Sequence, residues 1–321
     1  MGQQVPGSIN MRDFGGYPTV DGGCLRTGVL FRSGTTHELG PAGIAQLVQQ
    51  VGIRSMVDLR SDSERSRGLT DFVAYGIAAV HEPLATGLAG NPTAPRYDWI
   101  RRMALGELDW VETFWRILHL NGERMVDIVS HVSRAESLPV LIHCTSGRDR
   151  TGLTVALLQA ALGVSVDDIA SEYALSDVLR DAAGGPRSHL EQVFVDAEVP
   201  PEQVQQALST RPETMRRLLA RIDEEYAGVE AMLRTFGCAQ EVLERLRNWT
   251  ELGWSAADVN TAVGQDASDS FGRSFYLQGV PDREQDDVAW EATAERERYA
   301  WVPTPAGILN DTSPELVRVT L

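Results

Sequence analysis

Cys144 and Arg150 stand in the run His143-Cys144-Thr145-Ser146-Gly147-Arg148-Asp149-Arg150-Thr151-Gly152, and residues of these types at this spacing suit attack on a phosphate ester. A thiolate at Cys144 would be the nucleophile. The backbone amides of Thr145, Ser146, Gly147 and Arg148, curling inward toward a helix N-terminus, would form a nest for a tetrahedral dianion and lower the thiol pKa by the same field. Arg150 offers two parallel donors to phosphoryl oxygens, a geometry that lysine cannot match. The Thr151 hydroxyl is placed to donate to the thiolate as it is expelled in a second step. His143 is expected to bond neighbouring backbone and fix the loop.

A cysteine with an arginine six positions on says little by itself, so the flanking elements carry the weight. Leu138 to Ile142 is apolar and β-branched, too short for a helix and suited to a buried strand. Gly147 permits loop torsions closed to other residues. Thr151 to Leu162 reads as a helix that is apolar nearly all round, hence central, with Gly163 as its C-terminal stop. A buried cysteine in an ordinary strand–loop–helix turn is the bland alternative. A rhodanese-like sulfurtransferase also uses a cysteine loop, but it explains neither His143 nor the Asp149-Arg150-Thr151-Gly152 run.

The rest of the chain reads as an α/β layer structure. Val29 to Arg32, Ser55 to Leu59 and Ala79 to Pro83 are strand-like, with an amphipathic stretch from Pro41 to Val51. From Leu108 the pattern is helical: Trp110, Phe114, Ile117 and Leu118 share one face, and Met125, Ile128, Val129 and Val132 another. Ser165 is a candidate N-cap, and Asp181 to Pro201 reads as a break. Met215, Leu218, Leu219, Ile222, Tyr226, Val229 and Met232 keep a 3.6-residue period, ended by Gly237. Beyond Leu252 the period fades into a stretch rich in Asp, Glu, Gly and Pro. The expected division is a catalytic domain over 1–252 and an acidic extension over 253–321.

The formal net charge of -16 argues against nucleic acid or an anionic membrane as partner, and requires any phosphate site to be made attractive locally. Every basic residue is arginine. Cys24, Cys144 and Cys238 are far apart without a CxxC pair, which disfavours disulfides and a zinc cluster. The N-terminus lacks the basic and apolar regions of a secretory signal, and Pro6 spoils a myristoylation motif at Gly2. No apolar run has the length of a membrane span, so the expected location is the cytoplasm. His37, His81, His119, His131 and His189 show no metal spacing, and no metal or cofactor is expected.

The signature His143-Cys144-x-x-Gly147-x-Asp149-Arg150-Thr151-Gly152 closely resembles that of the bacterial atypical dual-specificity tyrosine phosphatases. Asn10-Met11-Arg12-Asp13-x-Gly15-Gly16-Tyr17, Asp21-Gly22 and Leu30-Phe31-Arg32-Ser33-Gly34 are similar to that family's N-terminal pattern. Gly52-Ile53 with Val57-Asp58-Leu59-Arg60, Tyr173-x-x-Ser176 and the helices from Arg211 to Leu252 extend the likeness. It covers about Ile9 to Leu252. The resemblance implies a central, mostly parallel sheet flanked by helices, a metal-free two-step reaction through a phosphocysteine, and a possible helical lid over 179–207. It also implies that Asp149 protonates the leaving group, although flanking Arg148 and Arg150 push its pKa down while a bound dianion pushes it up. Asp58 is the second candidate, and it could equally pair with Arg60. Arg148 stands where family members usually carry Lys, so activity on phosphoinositides is not carried over to this chain. Arg12 and Asp13 could touch substrate or hold a turn, and Arg32 or Arg60 could form the pocket rim. Trp99, Trp110 and Trp115 could line the pocket or belong to the core. The expected substrate is a phosphorylated protein, with a small phosphorylated metabolite or an inactive phosphate-binding module as the alternatives. Oligomeric state is left open.

Overall fold

The computed structural model describes residues 5–66, 68, 70–86, 102–103, 105–182, 200, 202–203, 209–250, 298–300 and 317–319. Its sheet contains β1 (Arg12–Asp13), β2 (Leu30–Ser33), β3 (Ser55–Asp58), β4 (Ala78–His81) and β5 (Val140–His143) in the order β1-β2-β5-β3-β4. Within this sheet, among the described residues, only the β1–β2 pair is antiparallel. β5 is central, and every residue in it is buried, as a parallel strand covered on both faces requires. Its register aligns His143 with Ser33 of β2 and with Asp58 of β3. Three strands therefore end side by side, and the segments that follow them, beginning at Gly34, Leu59 and Cys144, share the carboxyl edge of the sheet. Open α/β sheets bind ligands at that edge.

Alternation along the strands divides the core into two layers. Val57, Val140 and Ile142 face one side, packed with helices α3 (Trp110–Leu120), α4 (Gly122–Val132), α5 (Asp149–Ala161), α6 (Val166–Ala182), α7 (Pro212–Tyr226), α8 (Val229–Thr235) and α9 (Gln240–Thr250). Met56 and Leu141 face the other side, where Ile44 and Leu47 of α1 (Pro41–Gln49) cover them. The short α2 (Asp62–Arg65) follows β3. Helix α5 buries Leu153, Val155, Leu157 and Leu158 around its whole circumference, which fixes the axis of the helix that begins at the signature loop. Ser165 accepts from Asp168 N at 3.2 Å at the start of α6, and Gly163 takes φ 77° after α5.

Two readings need correction. The period from Met215 to Met232 is not one helix: Ala227 at φ 61° and Gly228 at φ 106° break it into α7 and α8. Apolar spacing survives the break because Met215, Leu218 and Ile222 and then Val229 and Met232 all face the same core. Helix α5 starts at Asp149, two residues before the expected Thr151. Most of the expected lid over 179–207, and Trp99, lie outside the described residues. Of the stretch 253–321 only two strands are described, β6 (Arg298–Ala300) and β7 (Val317–Val319), which pair antiparallel. Among the described residues no helix is long and apolar enough to cross a membrane.

Candidate active site

The loop from Cys144 to Arg148 links β5 to α5. Its carbonyls are tied outward. The Cys144 carbonyl faces His143 Nδ1 at 3.3 Å, and that of Thr145 accepts from Thr35 N at 2.8 Å. Gly147 O accepts from Asn10 Nδ2 at 2.9 Å and Arg32 Nη2 at 2.7 Å. A trans peptide points its C=O and N–H in opposite directions, so each outward carbonyl turns the next amide inward. Among the described residues the amides from Thr145 to Arg150 donate to no backbone carbonyl. Gly147 at φ 67° makes the turn, and a Cβ there would lie 2.5 Å from Gly34 N. The loop amides thus meet the N-terminus of α5, an arrangement suited to an anion, and the Cys144 side chain at the start of the loop is buried.

Arg150 is held by a residue the sequence reading did not single out. Glu64 accepts from Arg150 Nη1 at 2.6 Å and Nη2 at 2.5 Å, and from the Thr145 hydroxyl at 2.6 Å. Leu59 O takes a further Nη1 bond at 3.2 Å. Arg150 Nε has no partner among the described residues. Burial pushes the Glu64 carboxyl up, but the Arg150 bonds and charge, with Thr145, outweigh it and hold it at about 2. Burial opposes charge on Arg150 too, yet the Glu64 bonds raise its pKa above the ordinary value. Glu64 owes its position to a capping box with Ser61 at the start of α2. That Ser-x-x-Glu signal was legible in the sequence, but its distant partner was not.

Asp149 and Arg148 form a two-bonded pair, Nε to Oδ1 at 2.7 Å and Nη2 to Oδ2 at 3.1 Å. The Arg148 guanidinium also lies 5.2 Å from the Trp110 ring centroid. These contacts turn the Arg148 side chain toward Asp149 and Trp110. Asp149 keeps a side chain 24% exposed at the loop's mouth. Thr151 is fully buried, and its hydroxyl has no partner among the described residues.

Asp58 is buried beneath the loop, where Arg60 Nε binds Oδ1 at 3.0 Å and Nη2 binds Oδ2 at 2.8 Å. Burial raises its pKa, but the Arg60 bonds and the neighbouring His143 bring it below the ordinary value. His143 Nε2 lies 3.8 Å from Asp58 Oδ1. Burial pushes His143 down to about 4, against the pull of Asp58. Arg32 is 0% exposed and bonds Glu172 and Gly147 O, whereas Arg60 lines a cavity with Asp58, His81 and His143. Arg12 pairs with Glu172 of α6, and Asp13 accepts from Gly15 N and Gly28 N, holding a turn. Trp115 packs with His119 and Tyr226. No group of three or more His, Cys, Asp or Glu among the described residues is placed to hold a metal ion.

A mostly parallel sheet that delivers a cysteine into an amide nest backed by an arginine defines a class of phosphate-handling enzymes. The tyrosine phosphatase family model matches residues 3–250, most of the chain, and the protein belongs to that family. It is a phosphoric monoester hydrolase. The "Triple specificity protein phosphatase PtpB" of Mycobacterium tuberculosis is 29% identical over 282 residues, 76% of this chain and 97% of the relative. A "Tyrosine-protein phosphatase" of Nostoc commune is 27% identical over 37% of this chain and 42% of its own length. Among solved structures, TpbA of P. aeruginosa matches with a TM-score of 0.29 at 17% identity, covering 68% of this chain and 99% of that one.

Two outcomes are expected. Glu64→Gln removes the charge that fixes the Arg150 fork, so kcat/KM for an aryl phosphate, measured on folded enzyme, falls by about 10²-fold. Unchanged kcat/KM would show that Leu59 O suffices to hold Arg150. His143 is neutral in the folded protein down to about 4, whereas the unfolded chain takes the proton near 6.5. Its contribution to stability is complete above pH 6.5 and is lost as pH falls toward 4, by about 3 kcal/mol. Urea unfolding of the wild type and His143→Asn should show the wild-type curve falling more steeply across this window. Comparing the two curves cancels the opposite slope from Asp13, which burial raises to about 6. Parallel curves would refute the assignment.

Proposed function

We propose that the protein dephosphorylates phosphotyrosine, and phosphoserine or phosphothreonine, in proteins through a phosphocysteine at Cys144. The observation that carries this reading is the run of loop amides without backbone acceptors after buried Cys144, beside an Arg150 Nε that has no partner among the described residues. Glu64 occupies one edge of the guanidinium, which leaves Nε and the Nη2–H now directed at Thr145, 3.5 Å away, as a fork for two phosphoryl oxygens. In the first step the thiolate attacks phosphorus, the P–O ester bond breaks, and the leaving oxygen takes the Asp149 proton. In the second step Asp149 removes a proton from water as it attacks phosphorus. The S–P bond breaks, and the buried Thr151 hydroxyl, which has no partner among the described residues, donates to the departing thiolate. The sum is monoester and water to alcohol and inorganic phosphate.

Arg148 holds Asp149 by two hydrogen bonds, which fixes where its carboxyl group stands beside the loop. Asp58, with both oxygens on Arg60, serves as the support for His143 rather than as an acid. The substrate class is supported by the family and by the printed name of the M. tuberculosis relative. Three cysteines without a disulfide fit a reducing, cytoplasmic setting.

Cys144→Ser should abolish hydrolysis of an aryl phosphate, and wild-type activity should survive a metal chelator. Residual serine-variant activity near wild type would remove Cys144 from the mechanism. Asp149→Asn should slow esters of poor leaving groups by 10²-fold or more and nitrophenyl esters far less. Equal losses across leaving groups would exclude Asp149 as the acid. Turnover of phosphorylated sugars or nucleosides in preference to phosphopeptides would reassign the substrate to a metabolite.

A further inference from the structure

Beneath the signature loop lies a closed ring of hydrogen bonds that joins three distant parts of the chain. Glu172 of α6 accepts from Arg12 Nε at 2.6 Å and, through its other oxygen, from Arg32 Nη1. Arg12 Nη1 donates to the side-chain oxygen of Asn10, and Asn10 Nδ2 donates to Gly147 O at 2.9 Å. Arg32 Nη2 closes the ring on the same carbonyl at 2.7 Å. Ser176, one turn after Glu172, accepts from Arg12 Nη2 at 3.0 Å.

We infer that Asn10, Arg12, Arg32 and Glu172 form a positioning device whose function is to aim the Arg148 amide at the phosphoryl group; the inference rests on the reading of this loop as the phosphate site. The physical argument is directional. Two donors fix the Gly147 carbonyl, and the Arg148 N–H of the same trans peptide must then point the opposite way, into the nest. Arg12 fixes the donor itself, since a guanidinium on Asn10 Oδ1 dictates which end of the amide faces Gly147. Asn10 sits at φ 54°, a left-handed conformation that asparagine tolerates better than most side chains. The ring also carries charge. Two guanidiniums against one carboxylate leave one net positive charge buried under the nest, where an arriving dianion gains from it in a low dielectric.

A tether that only stabilises the fold would have no reason to converge on one loop carbonyl from both sides. The test separates aim from stability by using the competitive inhibition constant of inorganic phosphate, which does not depend on the fraction of folded enzyme. Asn10→Ala should raise that constant about 10-fold and lower kcat/KM for an aryl phosphate to match. Arg12→Lys, which loses the fork but keeps the charge, should give a smaller rise of about 3-fold and covers the case in which Asn10→Ala does not fold. Gln159→Ala is the control. It removes another buried side-chain bond, to Phe14 O at 3.2 Å, and should lower the melting temperature with the inhibition constant unchanged. An unchanged constant in Asn10→Ala or in Arg12→Lys overturns the positioning role. A wild-type rate in Cys144→Ser would instead overturn the reading on which it rests, so the two failures are distinguishable.

Discussion

A run of backbone amides left without backbone acceptors cannot stay in place by its own hydrogen bonding. A helix or strand fixes each peptide through both its N–H and its C=O. Among the described residues the loop amides from Thr145 to Arg148 donate to no backbone carbonyl, so the loop's carbonyls are what the backbone offers to hold it. Those carbonyls need donors from outside the loop, on the side away from the ligand. Thr35 N comes from the segment after β2, His143 from β5 itself, and Asn10 and Arg32 from the N-terminal part of the chain. The strand order β2-β5-β3 is what puts these donors within reach, because it places the ends of β2 and β3 on either side of Cys144.

The same constraint explains the local charge pattern in a chain of net charge -16. Arg12, Arg32, Arg60, Arg65, Arg148 and Arg150 converge on the loop, matched by Asp58, Glu64, Asp149 and Glu172. Buried charges are tolerated when paired and hydrogen-bonded, and breaking one partner of such a pair costs about 3–5 kcal/mol. The pairing leaves positive charge in excess at the loop. Surface acidity acts weakly beyond a Debye length of about 8 Å, whereas the excess acts at contact distance. Overall charge therefore does not oppose binding of a phosphate dianion once it is within the nest.

Short-range patterns made the framework legible in the sequence. The Leu138–Ile142 run announced a buried strand, and the unbroken apolarity after Arg150 announced the helix behind the loop. What escaped was whatever depends on long-range pairing. Glu172 lies on a helix bearing several other acidic residues, and nothing local marks it as buried; its partners are 140 and 160 positions away. Glu64 shows its capping box locally, yet its hold on Arg150 spans 86 positions. The direction of the Arg148 side chain was not legible either, because its contacts with Asp149 and Trp110 depend on how α3 packs against the loop. The break between α7 and α8 was missed for a different reason, since apolar spacing continued across Gly228 and hid the turn.

These separations bear on how the site comes into being. The strand, the loop and the start of α5 are contiguous, so local contacts alone could bring Cys144 and Arg150 near each other. Local contacts cannot orient them. The Gly147 carbonyl is tethered across 137 and 115 positions, and the Arg150 fork across 86, so the donors arrive only when the sheet and α6 have assembled. Closing such distances has an entropic cost that local structure cannot offset. An isolated strand–loop–helix of this sequence would hold the right residues in the wrong directions. The orientation of this loop is thus a property of the whole sheet and its flanking helices, and the N-terminal turn around Asn10 bears on it as directly as β5 and α5 do.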